Sequence, residues 1–249
     1  MKQLIAFDLD GTLAESKQPL DPDMAGLLAG LMAVAKVAII SGGDWPQFEK
    51  QVVSRLPDGA NVANFFIMPT TGTKLYRHAG EGWRPVYAEI FTDAEKRRIL
   101  DTLEQAVRDE GFEETQVWGD KIEDRGSQFT FSGLGQQAPL AAKEAWDPDR
   151  RKREKLQAVL KERLPEVSIN IGGSTSLDLT RPGVDKAYGL RKLAEHSGVP
   201  LDAMLFLGDA IFPGGNDYPA LTLGLDCVRV RDVAETRSVV SAITVCLAP

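Results

Sequence analysis

Two rhythms of apolar residues run along this chain. Short runs that are apolar at every position alternate with longer stretches in which apolar residues return every three or four. Leu4 to Phe7 is the first short run and reads as a buried strand. Asp21-Pro22 then looks like a helix start, with Pro at the first helical position and Leu27, Leu28, Leu31 and Met32 at helical spacing. Val37 to Ile40 is a second strand, broken by Ser41-Gly42-Gly43. Asp44-Trp45-Pro46 opens a helix with Phe48, Val52 and Leu56 on one face, and Phe65 to Met68 is a third strand. Strand, helix, strand, helix, strand with short connections predicts a doubly wound parallel sheet.

The rhythm changes near Gly80. Lys74 to Tyr76 and Trp83 to Tyr87 straddle a Gly-rich turn. A helix is predicted from Thr92 to Glu110, with Ile99, Leu103 and Val107 in phase. Strand-like pieces follow at Thr115 to Trp118 and Ser127 to Phe131, then a charged helix from Asp147 to Leu164. Strands at Val167 to Ile171 and Ser176 to Leu179 close this part. The first rhythm returns after Arg181-Pro182-Gly183, with a helix from Asp185 to His196 and a strand at Met204 to Leu207. A short apolar turn or helix at Pro219 to Leu223, a strand at Cys227 to Val230 and a helix from Val233 finish the chain. The expected fold is α/β, a Rossmann-like doubly wound core of residues 1–81 and 181–249, with an inserted α+β cap domain of residues 82–180.

The chain has 249 residues, 43% hydrophobic and 26% charged, which is ordinary for a globular protein. A net charge of −7 argues against a general nucleic-acid binder but not against an anionic small substrate in a locally basic pocket. No apolar run reaches the roughly 18 residues of a membrane helix. The acidic Asp8 comes too early for a secretory signal, so no membrane association and a cytoplasmic protein are expected. Cys227 and Cys246 fit no metal or redox spacing and are expected to be buried thiols. The basic run Arg150 to Arg153 is expected to be a solvated helix face.

Candidate chemistry gathers where strands end. Parallel strands present their carboxyl ends on one edge of an open sheet, where ligands bind. The first strand ends at Asp8 and Asp10, which point the same way in extended backbone. The second ends at Ser41 and a later one at Asp209. Lys186 starts a helix, and Asn216-Asp217 follows Pro213-Gly-Gly. Carboxylates converging there would repel one another, and a hard divalent cation with oxygen ligands is the natural remedy. Such a site with a lysine and a small hydroxyl suits phosphoryl transfer through an aspartyl-phosphate.

The segments Asp8-Leu-Asp-Gly-Thr12, Ser41-Gly-Gly43, Asp185-Lys186 and Gly208-Asp-Ala-Ile-Phe-Pro-Gly-Gly-Asn-Asp217, in this order, resemble the haloacid dehalogenase superfamily. Within it the chain is most similar to the branch with a large α/β cap, and there to the eukaryotic-type α-phosphomannomutases. Gly172-Gly-Ser-Thr-Ser-Leu-Asp178 and Gly183-Val-Asp-Lys186 carry much of that likeness, which is weakest from residue 74 to 122. The resemblance implies Asp8 as nucleophile and Asp10 as general acid/base. It implies Mg²⁺ held by Asp8, the backbone oxygen of Asp10 and Asp209. Ser41 and Lys186, with Gly42 and Gly43, would bind the transferring phosphoryl group. Asp217, with Asn216 beside it, would orient Lys186 or a metal-bound water. In the cap, Ser176 and Asp178 match residues that contact sugar hydroxyls, and Arg125 matches an arginine that holds the distal phosphate. A homodimer through the cap rests on the same likeness.

The chain also departs from that family. Ser132 and Lys143 stand where the mutases carry two further cap arginines, Lys17 where another phosphate-contacting arginine lies, and Leu223 in place of an aspartate for a structural cation. A mutase must keep its grip on a bisphosphate intermediate as it turns around, and a hydrolase need not. The leading expectation is therefore a Mg²⁺-dependent phosphatase acting on a small sugar phosphate. A phosphomannomutase is the alternative, and a sugar-phosphate-binding module without turnover the third reading.

Overall fold

The computed structural model describes residues 1–172 and 174–248. Contacts divide the chain into two compact units, residues 1–88 with 184–249 and residues 89–183. In chain order the first unit contributes β1 (Leu4–Phe7), α1 (Pro22–Val34), β2 (Lys36–Ile40), α2 (Trp45–Gln51), β3 (Phe65–Met68), β4 (Lys74–Ala79) and β5 (Gly82–Ala88). The second contains α3 (Asp93–Asp109), β6 (Ile122–Asp124), β7 (Gln128–Ser132), α4 (Leu140–Trp146), α5 (Arg151–Arg163), β8 (Ser168–Ile171) and β9 (Ser176–Thr180). The chain then returns to the first unit with α6 (Lys186–Ser197), β10 (Met204–Gly208), α7 (Tyr218–Thr222), β11 (Asp226–Arg229) and α8 (Val233–Leu247).

The large sheet has the order β11-β10-β1-β2-β3-β4-β5. Its first five strands are parallel, and β4 and β5 extend it antiparallel. Strand alternation splits each apolar run between two cores. Ile5 and Phe7 join Val37, Ile39, Phe65 and Ile67 on the face that packs residues of α1, α2 and α8. Leu4 and Ala6 join Ala38, Ile40, Phe66 and Met68 on the face that packs residues of α6 and α7. Burial on both faces is why these strands read as continuous apolar runs in the sequence. The chain moves from β1 to β2 and β3 on one side, while β10 lies on the other. That reversal opens a crevice at the carboxyl ends of β1 and β10.

The second unit is a separate antiparallel sheet, β6-β7-β9-β8, with one apolar face covered by α3 and α5. A capping box of Thr92 and Glu95 starts α3. The doubly wound core with an inserted α+β unit is thus the fold of this chain.

Several local expectations change. The predicted boundary at residue 82 falls inside the ladder that binds β5 to β4, so the second unit starts at Glu89. Thr115 to Trp118 is not a strand. Trp118 exchanges backbone bonds with the 134–137 turn, its N–H donating to Leu134 and its carbonyl accepting from Gln137, and its ring packs near Leu134, Ala138 and Trp146. The edge strand forms later, at β6. The charged helix starts at Arg151 rather than Asp147, because the Asp147 carboxylate accepts the N–H groups of Lys152 and Arg153 from outside the helix. Arg153 is not solvated: it is buried and paired with Asp147 at 2.7 Å. Helix α4 carries no apolar periodicity that would announce it. Cys246 is exposed and Cys227 half-buried. No helix among the described residues is long and apolar enough to cross a membrane.

Candidate active site

The site is built on the carboxyl ends of β1, β2 and β10 and the first residue of α6. Asp8 leaves β1 buried, with its N–H donated to Leu207 of the neighbouring strand. Lys186, also buried, reaches it from α6: Nζ lies 2.5 Å from Asp8 Oδ1 and 3.4 Å from Asp217 Oδ1, and also donates to the Ile40 carbonyl. Asp185 caps that helix by accepting the Tyr188 N–H, which fixes where Lys186 enters. The helix seats against the turn after β3 because glycine faces glycine there. A Cβ on Gly72, whose φ is +86°, would stand 2.5 Å from Gly189 Cα. The same turn steadies Ser41: Thr71 N–H donates to the Ser41 carbonyl and Thr70 N–H to that of Gly43. Thr70 and Thr71 both hold positive φ, a strain that non-glycine residues adopt where the surroundings impose it.

Asp8, Asp209 and Asp217 each offer a carboxylate oxygen, all within 4.8 Å of one another. Two glycines permit this crowding. A Cβ on Gly11 would come 2.9 Å from Asp209 Oδ2, and one on Gly208 would collide with Asp217 Oδ2. Asp217 is fully buried; its Oδ2 accepts the Ala210 N–H, while Oδ1 faces the Lys186 ammonium at 3.4 Å. Burial, opposed by Lys186 and reinforced by Asp217, pushes Asp8 up to about 7. Burial and the charge of Asp217 also raise Asp209. Burial works against the Lys186 ammonium, but Asp8 and Asp217 outweigh it and hold its pKa above the usual lysine value. Three carboxylate oxygens this close repel one another, and an oxygen donor set of this kind fits a hard divalent cation.

Asp10 sits beside this cluster, half-buried. Its carboxylate accepts the Lys17 backbone N–H at 2.6 Å and a long 3.5 Å bond from Gln47. The carboxylate that completes the cluster with Asp8 and Asp209 is that of Asp217. Ser41 is buried, with its Oγ 3.5 Å from the Gly43 N–H, while Asn216 and Lys17 are exposed. Sequence reasoning missed Lys74, whose buried ammonium pairs with Asp44 at 2.6 Å just past the Ser41–Gly43 loop. An Asp at a helix start reads as a cap; here it serves Lys74 instead and makes no side-chain capping bond.

In the second unit, Asp178 Oδ1 accepts from Thr130 at 2.7 Å and from Gln128 at 2.9 Å. Burial raises its carboxyl despite the nearby Arg125. Arg125 pairs with Glu123 at 2.7 Å. Ser132 meets Thr175 Oγ1 and donates to the Gly135 carbonyl, and Lys143 donates to the Gln136 carbonyl. Ser176 is half-buried on the same strand as Asp178, and Gly173 of the neighbouring motif lies outside the described residues.

The family model described as eukaryotic phosphomannomutase matches residues 24–223. The chain belongs to that family. Family members similar to it include phosphomannomutase of Schizosaccharomyces pombe, 25% identical over 87% of this chain and 84% of that protein. Human phosphomannomutase 1 is 26% identical, over 93% of this chain and 89% of its own length. Solved structures of the same fold include a C-terminally truncated IMP-nucleotidase of Plasmodium falciparum, with a TM-score of 0.69 at 17% identity over 99% of this chain and 72% of that one. Trehalose-6-phosphate phosphatase of Aspergillus fumigatus gives 0.57 at 17% identity, over 98% and 92%. The chain is thus a member of the eukaryotic phosphomannomutase family, and it shares its fold with these two solved structures.

Proposed function

We propose that this member of the phosphomannomutase family is a Mg²⁺-dependent phosphatase that hydrolyses a small sugar phosphate, a hexose phosphate, through an aspartyl-phosphate on Asp8. The observation that carries phosphoryl transfer is the buried lysine between two buried carboxylates at the sheet's switch point. An Asp8 oxygen bonds to phosphorus as the bond from phosphorus to the sugar oxygen breaks, and Asp10 gives that oxygen its proton. Water then attacks phosphorus, returns a proton to Asp10 and releases Asp8. Lys186, the Ser41 hydroxyl and the backbone N–H groups of Gly42 and Gly43 hold the phosphoryl oxygens. Asp8, the Asp10 carbonyl and Asp209 would hold Mg²⁺, with Asp217 and Asn216 behind it; when bound, the cation supplies charge neutralisation and alignment of the phosphate.

Water as acceptor, rather than a sugar, is supported by the second unit. Ser132 carries no charge and its hydroxyl is engaged by the Gly135 carbonyl and Thr175 Oγ1. Lys143 lacks the two-pronged fit of a guanidinium. Arg125 is held by a carboxylate. Ser176 and Asp178 are assigned to sugar hydroxyls and Lys17 to the substrate's phosphate. A phosphomannomutase is the second reading, favoured by the family match across both units. The family likeness also supports a homodimer through the second unit and a cytoplasmic setting.

Mannose 1-phosphate offered with and without a hexose 1,6-bisphosphate separates the two readings. We expect phosphate release that does not need the bisphosphate. Formation of mannose 6-phosphate only when the bisphosphate is present would make the chain a mutase.

A further inference from the structure

The loop Ser41–Gly43 joins the end of β2 to the start of α2, and two of its three residues are glycines with no side chain to anchor it. The turn after β3 holds it by donating to the carbonyls of Ser41 and Gly43. That turn is itself fixed, since the Tyr87 hydroxyl donates to the Gly72 carbonyl and the Thr73 hydroxyl to that of Thr70.

Asp44 places a carboxylate one residue past this loop. Successive Cα atoms lie about 3.8 Å apart, so an uncompensated charge there would repel a phosphoryl group held by the loop. An Asp at a helix start ordinarily turns its side chain back onto the free N–H groups of the first turn. Asp44 makes no such bond. Its carboxylate goes to β4, where Lys74 meets it at 2.6 Å with only 8% of the lysine side chain exposed. Two residues along the same face of β4, Tyr76 stacks on Trp45 with ring centroids 4.2 Å apart. Asp44 and Trp45, the residues that lead from the loop into α2, are therefore both seated on β4. Burial and the charge of Asp44 push the Tyr76 hydroxyl up, which shows that this charge is directed at the strand.

We infer that Lys74 is a positioning residue for the phosphoryl-binding loop: it draws the Asp44 carboxylate onto β4 and neutralises it, so that the loop meets a phosphate without a competing negative charge. This rests on the reading above that Ser41, Gly42 and Gly43 hold the phosphoryl group.

The test is calorimetric titration of the full chain with inorganic phosphate in the presence of Mg²⁺, each variant checked for folding by its thermal melt. Lys74→Met should weaken phosphate binding about tenfold, because the Asp44 charge is then uncompensated beside the loop. Adding Asp44→Asn should restore most of that affinity although the tie to β4 is still missing. A purely structural tie would leave the double variant as weak as the single one. Asp44→Asn alone, whose amide can still cap α2, should bind phosphate severalfold more tightly, by an amount that shrinks at high salt. Unchanged affinity in folded Lys74→Met, no recovery in the folded double variant, or no gain in Asp44→Asn would each overturn the inference. The last of these keeps the buried lysine and so does not depend on its loss being tolerated. An intact chain that does not bind phosphate would also overturn it. Binding is read by heat and not by turnover, so a chain that shows these shifts yet hydrolyses no sugar phosphate would remove the phosphatase reading and leave this inference standing.

Discussion

Replacing Asp8 with Asn should abolish phosphoryl transfer while making the metal-free protein more stable at neutral pH. The loss of activity, about 10⁴-fold or more, follows from removing the nucleophile, since an amide oxygen does not take its place. The gain in stability follows from burial. Asp8 binds its proton more tightly in the folded chain, at about 7, than at its ordinary 3.8. A raised carboxyl favours the folded state only while protonated. Stability is therefore lost as pH rises from about 4 to about 7, and the loss persists above that. About three pH units at 1.36 kcal/mol each set the loss at roughly 4 kcal/mol at most. The amide of Asp8→Asn has no charge to bury and keeps an acceptor for Lys186. In the presence of a chelator at pH 8, Asp8→Asn should melt several degrees above the unsubstituted chain, at roughly 2–4 °C per kcal/mol. The gap should close toward pH 4, and added Mg²⁺ should raise the melting point of the unsubstituted chain more than that of the variant. A variant that melts lower at pH 8, or that still turns over sugar phosphate, would contradict this.

Lys186→Met should do the opposite to stability. The ammonium is buried between Asp8 and Asp217, and its removal leaves two buried carboxylates facing each other. Breaking a buried pair in this way costs about 3–5 kcal/mol, on the order of 10 °C for a chain of this size. Added Mg²⁺ should return part of that stability, because a cation can screen the carboxylates. Activity should stay down by about 10²–10³-fold, since the lost charge faces the transferring phosphoryl group. Lys186→Arg should not rescue it, because a planar guanidinium does not fit a site shaped for one ammonium. A melt and a rate assay with and without Mg²⁺ read both effects. A Lys186→Met chain with unchanged melting point and turnover would show that Lys186 is a bystander.

The core and its site were legible because their physics is local. Strands buried on both faces must be apolar at every position, so Leu4 to Phe7 and Val37 to Ile40 announce themselves. The residues that follow them fall on one edge by topology alone. The second unit was harder to read. Its apolar residues alternate or are sparse, so Thr115 to Trp118 imitates a strand although its hydrogen bonds go to a turn. Leu140–Trp146 is held by context rather than by its own pattern. Lys74 and Asp44 pair across thirty positions of sequence. Long-range pairings of single charged residues leave no periodic trace.

The central claim is that phosphate passes through a covalent bond to Asp8. Borohydride added during turnover of a hexose phosphate reduces an acyl phosphate to an alcohol. Peptide mapping should then find homoserine at position 8, with Asp10, Asp209 and Asp217 unaltered. Phosphate release with no modification at Asp8, or modification at another carboxylate, would contradict the account.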